Sequence, residues 1–285
     1  EYKASNHGRM NAIGADTKPK DFIKTIAEDL LERYANKPLI GQYDVYQHLL
    51  DYWNETMKDD VYLLVEDGWQ ATVKRILEKN KKTSKEIDKG WTCDLIPKTL
   101  VINRYLATAQ RAVWDVETAL ESIQAEITTI EEEHAGEEGL LSDATNDKGN
   151  LTKATVTAFI KDNKTNPTEK EAVALANSLL KLFNRDTDLK KELKTKTTSL
   201  DDLTLTKFKE LTEAEVRTLV VDDKWLTSLQ TVIQTEIDAI SQRLTTRVKE
   251  LSDRYENTLL ELDSQTKTLE NKVIAHLEKM GLVWN

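Results

Sequence analysis

One cysteine, four prolines and nine glycines in 285 residues are the first constraint on this chain. A lone Cys93 cannot close an intrachain disulfide, so the fold must rest on packing, which suits a reducing compartment. So few glycines and prolines exclude an all-β sandwich or barrel, which needs a turn signal every ten residues or so. No apolar run approaches the roughly 18 residues that would span a bilayer, and no charged-then-apolar leader opens the chain. A soluble, cytoplasmic protein with no membrane partner is expected. Glycine-rich phosphate loops (GxGxxG, GxxxxGK[ST]), a GxSxG elbow and the kinase motifs are all missing. What remains is charge and helical periodicity: 32% charged residues, 39% hydrophobic, and 40 Lys+Arg against 50 Asp+Glu for a net charge of −10. That sign disfavours wholesale coating of nucleic acid while leaving room for a local basic patch.

Residues 1–20 show no sustained period and read as a tail at a fragment boundary. Two amphipathic helices follow, one on Phe22, Ile26 and Leu30, the next on Tyr43, Tyr46, Leu50, Trp53 and Met57, ending near Asp59-Asp60. The run Val61-Tyr62-Leu63-Leu64-Val65 is β-prone and stops at the turn sequence Glu66-Asp67-Gly68. With the stretches 69–77 and 91–96 it predicts a small antiparallel sheet of two or three strands. Between them lies a basic loop; residues 74–104 hold nine Lys/Arg and four Asp/Glu, a net +5.

Past Pro97, Leu106, Ala109, Val113, Val116, Leu120, Ile123, Ile127 and Ile130 are spaced alternately by three and four, a heptad seam. It predicts a coiled-coil helix of roughly 35 residues, about 50 Å long. Residues 115–147 carry eleven carboxylates and no Lys or Arg, so repulsion should fray its end near Glu131-Glu132-Glu133, and Gly136 and Gly139 should stop it. Residues 148–209 swing back to thirteen basic against eight acidic. Asn166-Pro167 before Thr168-x-x-Glu171 marks a helix start, with Val173, Ala176, Leu180 and Phe183 on one face, and Thr212-x-x-Glu215 marks another.

A second long seam begins at Trp225. Leu226, Leu229 and Ile233 recur as Ile237, Ile240 and Leu244, as Val248, Leu251 and Tyr255, and as Leu259, Leu262 and Thr266, an 11-residue period that implies a nearly straight seam. Leu269, Val273, Leu277 and Met280 prolong it, and no Pro or Gly interrupts residues 225–280, so one helix of more than 50 residues is expected, about 80 Å long. The fold class is therefore mainly α. It comprises a long antiparallel helical hairpin or coiled coil with a helical insertion at its tip, and a small antiparallel β element near residues 61–96. The corresponding division is a tail at 1–20, an α+β subdomain at 21–98 and a helical domain at 99–285 with the insertion at about 140–221. The last helix outruns its expected partner, and something else should cover the excess.

The candidates for chemistry are few. His7, His48, His134 and His276 have no second ligand at metal spacing. Cys93 has no base beside it, so a structural thiol is expected. Asp59-Asp60 and Asp222-Asp223 fit helix caps better than a catalytic pair, and a hydrolytic site of Asp59, Asp60 and His48 is the weakest reading. Lys79, Lys81, Lys82, Lys85 and Lys89, between Trp69 and Trp91, could follow phosphates, although a solvated hairpin tip is the plainer account.

Several strings are more specific: QYDVYQHLLDYW at 42–53, MKDDVYL at 57–63, DKGWTCDLIPK at 88–98, LTEAEV at 211–216, VDDKWL at 221–226 and KMGLVW at 279–284. Together they resemble the C-terminal region of the modification subunit of type I restriction–modification systems, from about Lys18 onward. The resemblance implies a DNA adenine methyltransferase subunit that uses S-adenosylmethionine and assembles with a specificity and a restriction subunit, touching DNA through the complex. The family's Asn/Asp-Pro-Pro-aromatic motif is missing here, because no Pro-Pro occurs and Asn166-Pro167-Thr168 leads into a helix. No catalytic, cofactor or metal residue is carried over, and no cofactor is expected in this chain. What the resemblance implies is a non-catalytic assembly region whose helices dock on the specificity subunit. Leu244, Val248, Leu251, Tyr255 and Leu259, or their extension to Leu277, would form part of that face. The alternative is an autonomous DNA-binding module using the 79–89 loop.

Overall fold

A computed structural model describes residues 2–38, 40–79, 86–164, 166–256 and 258–281. The fold is mainly α with one two-stranded antiparallel sheet, and it divides into two compact units. One comprises residues 1–66 and 225–285, the other residues 67–224. This differs from the expected division at residue 98, because the first turns of the last long seam pack with the N-terminal helices.

In the first unit, α1 (Tyr2–Asn11), α2 (Pro19–Tyr34) and α3 (Gln42–Tyr52) are followed by a π-helical turn (Trp53–Met57) that runs straight into α4 (Lys58–Asp67). Residues 1–20 are thus no tail. Met10 and Ile13 are buried, and buried Asn6 donates to Asp29 Oδ2 at 2.6 Å, which Arg33 also grips at 2.7 Å. Pro19 opens α2 where its missing N–H costs nothing. The run Val61–Val65 is helical, not β. Val45, Leu49, Trp53, Met57, Val61 and Leu64 form one buried stripe at steps of three and four, and that stripe overrides local β propensity. It also turns Tyr43, expected inside, out to solvent. Phe22 meets the Trp53 and Trp225 rings at centroid distances of 6.2 and 6.5 Å, tying α2, the π-helical turn after α3 and the segment that leads into α10 (Thr227–Tyr255) into one core. Burial at the α3–α10 contact pushes the Tyr52 phenol up to about 12.

The second unit begins with β1 (Val73–Lys79) and β2 (Glu86–Cys93) in the register Val73↔Cys93 and Lys79↔Glu86. The pairing slips between Arg75↔Trp91 and Leu77↔Asp88, where Gly90 adopts φ 105°, a left-handed bulge position. Then come α5 (Lys98–Tyr105) and α6 (Ala107–His134), separated at Leu106 (φ −122°). All eight residues of the heptad seam are buried or half-buried, and α6 runs through the three glutamates to His134. Its partner is α8 (Lys170–Glu210), a 41-residue helix, about 60 Å at 1.5 Å per residue. Gln124 bonds Asp186 and Lys196 bonds the Ala112 carbonyl, so the arms run antiparallel. The hairpin arm expected from residue 225 onward is therefore supplied by α8.

The insertion at the tip is residues 135–169, shorter than the expected 140–221, because residues 170–210 are the returning arm. It holds α7 (Lys153–Asp162), which Thr152 caps. Leu141, Ala144, Leu151, Val156 and Phe159 close on Ile127, Ala172, Ala176 and Leu179 as a small core of its own. Gly139 is required there, since a Cβ would collide with the His134 carbonyl. Asn166 caps the approach to α8 by accepting from Thr168 N, in place of the expected Thr168–Glu171 box. The expected box at Thr212 and Glu215 is present and opens α9 (Glu213–Arg217), which leads into a π-helical stretch, Thr218–Leu226. No helix among the described residues is long and apolar enough to cross a membrane.

Candidate interaction surface

The expected single rod from residue 225 to 280 is two helices, α10 and α11 (Leu259–Lys279). At 1.5 Å per residue they are about 43 and 31 Å long. The break has a local cause. Thr258 is extended (ψ 157°) and its hydroxyl accepts from Glu261 N, while the Glu261 carboxylate takes the Thr258 N–H and O–H at 2.8 and 2.9 Å. This reciprocal cap starts a new helix without any Pro or Gly. Those hydrogen bonds hold the Glu261 carboxyl below its usual range. The Thr258-x-x-Glu261 signature was visible in the sequence, but unbroken apolar spacing across it pointed to continuity.

The predicted docking residues all lie on this helix pair, and all five are exposed, from 37% at Leu251 to 85% at Leu259. Leu244, Val248 and Tyr255 fall between those limits, and Leu277 is half-buried. At about 100° per residue, the positions 226, 229, 233, 237, 240, 244, 248, 251 and 255 fall within an arc of about 100°. They form one face whose burial declines along its length. Leu226 and Leu229 are buried, Ile233, Ile237 and Ile240 are half-buried, and from Leu244 onward the face is open. Ile233 and Ile237, with Leu226 and Leu229 before them, line a cleft of about 450 Å³ whose other lining residues include Tyr2, Leu30, Arg33, Tyr34 and Lys37.

The basic loop fares differently. The Lys79 side chain, Lys81, Lys82 and Lys85 lie outside the described residues. Lys89 pairs with Glu78 at 3.3 Å, Lys74 with Asp94 at 2.7 Å and Arg75 with Asp88 at 3.1 Å. The flanking tryptophans are not stacking platforms. Trp91 is buried, donates to Asp201 Oδ2 at 2.8 Å, carries Lys98 Nζ 3.8 Å above its ring and meets Phe208 edge-on. Trp69 is likewise buried, beneath the Arg217 guanidinium at 4.5 Å.

Asp60 is buried and accepts from the Trp225 indole at 2.8 Å. Asp223 takes both its hydrogen bonds from Arg104, at 2.8 and 2.9 Å. Neither acid is poised as half of a catalytic pair. Burial pushes the Cys93 thiol up, away from nucleophilic character. Buried Lys224 donates to the Leu95 carbonyl at 2.7 Å. Asp201, which clamps both Trp91 and Lys98, had no sequence signal, because its partners lie more than a hundred positions away. Among the described residues no three His, Cys, Asp or Glu side chains gather as a metal site would require.

Comparison with protein-family models, curated proteins and solved structures finds no match to this chain.

Proposed function

We propose that this chain is the C-terminal assembly region of the modification subunit of a type I restriction–modification system. In this reading it docks an adenine methyltransferase onto the specificity subunit in the cytoplasm and helps hold DNA within the complex, alongside the restriction subunit. The observation that carries the reading is the open apolar ridge of Leu244, Val248, Leu251 and Tyr255 on one face of α10, with Leu259 also exposed at the start of α11 beyond the break. A monomeric protein gains nothing by keeping such a stripe in water, and apolar faces of this extent mark interaction sites. Burying five such side chains against a partner helix would contribute about 7–15 kcal/mol gross, before association costs. The family strings in the sequence supply the partner's identity. S-adenosylmethionine belongs in this reading to the full-length subunit. This sequence has no Pro-Pro-aromatic turn to present an adenine, so no methyl-transfer step is assigned to its residues.

The test is co-purification of the Leu251→Glu, Leu259→Glu double variant with the specificity subunit. Capture should be abolished while the circular-dichroism helicity matches the parent. Capture equal to the parent's would remove the ridge, and the reading with it.

A further inference from the structure

We infer that the docking surface extends past the open ridge into the cleft at the amino-terminal end of α10. There it receives one end of a partner amphipathic helix that places an acidic side chain opposite Lys37. The inference rests on the docking reading above and adds where the partner helix ends and what its end must carry.

The argument starts from one helical face in three states. Its first turns, Leu226 and Leu229, are covered by the chain's own helices, and its far part from Leu244 is covered by nothing among the described residues. The middle part, Ile233 and Ile237, forms the floor of the 450 Å³ cleft, with Leu30 and Tyr34 of α2 as the opposite wall. A helix laid along the open ridge, at the 8–10 Å spacing of packed helices, runs into this cleft if continued toward the start of α10. The cleft then supplies what a flat ridge lacks, a second wall and an end stop.

Charge selects what that end carries. The ionisable cations of the lining are Arg33 and Lys37. Arg33 is already engaged by Asp29, whereas Lys37 has no ion pair among the described residues. Gln230 adds an uncharged hydrogen-bonding group to the lining, Gln234 is already engaged in donating to Asp238 Oδ1 at 2.8 Å, and no carboxylate is itself among the lining residues. An acidic side chain entering beside Lys37 meets a cation and the Gln230 amide, and a basic one meets repulsion from Lys37.

The experiment measures affinity of the full chain for the specificity subunit at two salt concentrations. Three single variants, Lys37→Glu, Ile237→Glu and Gln234→Trp, are compared with the Leu251→Glu, Leu259→Glu ridge variant. Gln234→Trp adds bulk to the cleft lining from an exposed position, whereas Ile237 is half-buried. Expected are a loss of tenfold or more for Ile237→Glu and Gln234→Trp. Lys37→Glu should lose about threefold, with a weaker salt dependence than the parent. If Gln234→Trp and Lys37→Glu bind like the parent while the ridge variant does not, the cleft inference is overturned and the docking reading stands. If the ridge variant also binds like the parent, the docking reading itself has failed.

Discussion

At the scale of single residues, the decisive contacts join positions far apart in sequence. Trp225 is wholly buried and its indole N–H reaches Asp60, 165 positions earlier. Replacing Trp225 with Phe keeps most of the apolar volume but takes that donor from a buried carboxylate, a loss of about 1–3 kcal/mol. A urea titration should show it as a lower midpoint at unchanged slope. Glu215 shows the opposite mixture of local and distant causes. Its carboxyl is held down to about 2, first by the Lys207 ammonium at 2.8 Å and then by the Thr212 N–H and O–H. The capping half of that arrangement was legible as Thr212-x-x-Glu215; the Lys207 half was not, because the turn between α8 and α9 brings the two together. A depressed carboxyl stabilises the fold fully above its ordinary value of 4.5 and loses that contribution as pH falls toward about 2. Glu215→Gln keeps the capping box but loses the Lys207 ion pair, so it should destabilise the protein at pH 7 by up to about 1 kcal/mol. It should also flatten the pH dependence of the melting temperature between pH 4.5 and 2, the reverse of what a raised group would do.

At the scale of elements, propensity and periodicity placed α2, α6, the start of α8 and α9 well, and they failed where two signals competed. In residues 61–65, β-branched residues pointed to a strand, but Val61 and Leu64 continue the stripe of Leu49, Trp53 and Met57, and burial of that stripe prevails. At Thr258 the failure ran the other way: continuous apolar spacing suggested one rod, and a reciprocal cap of two side chains divided it. Thr258→Ala removes the hydroxyl that accepts the Glu261 N–H, at a cost of about 1 kcal/mol to the first turn of α11. Amide exchange over residues 260–263 should accelerate about fivefold while α6 is unaffected. The tip of the hairpin is a self-sufficient small core by contrast. Leu179→Ala should cost about 2–5 kcal/mol by leaving a cavity beneath Phe159 and Leu141, visible as a drop in melting temperature.

At the scale of the whole molecule, two kinds of apolar residue coexist, and stability measurements on the isolated chain should separate them. Leu251 and Leu259 face solvent, so the double change to Glu should leave the unfolding free energy from urea titration within about 0.5 kcal/mol of the parent, while the proposed function expects it to abolish partner capture. A change such as Leu49→Ala, in the core of the first unit, should cost several times more. That contrast distinguishes an exposed apolar face from a core that folding depends on. Composition and periodicity alone determined that the protein is mainly helical, that its sheet is small, and that apolar residues recur at helical spacing beyond residue 240. These follow from spacing along a single helix, which is a local property. Only the tertiary structure decided that α8 pairs with α6, that α10 begins inside the N-terminal core, and that the face of α10 passes from buried through cleft to open. Pairing depends on which of several similar seams finds a complementary wall, and here Trp225 finds Phe22 and Asp60, a choice no spacing rule contains.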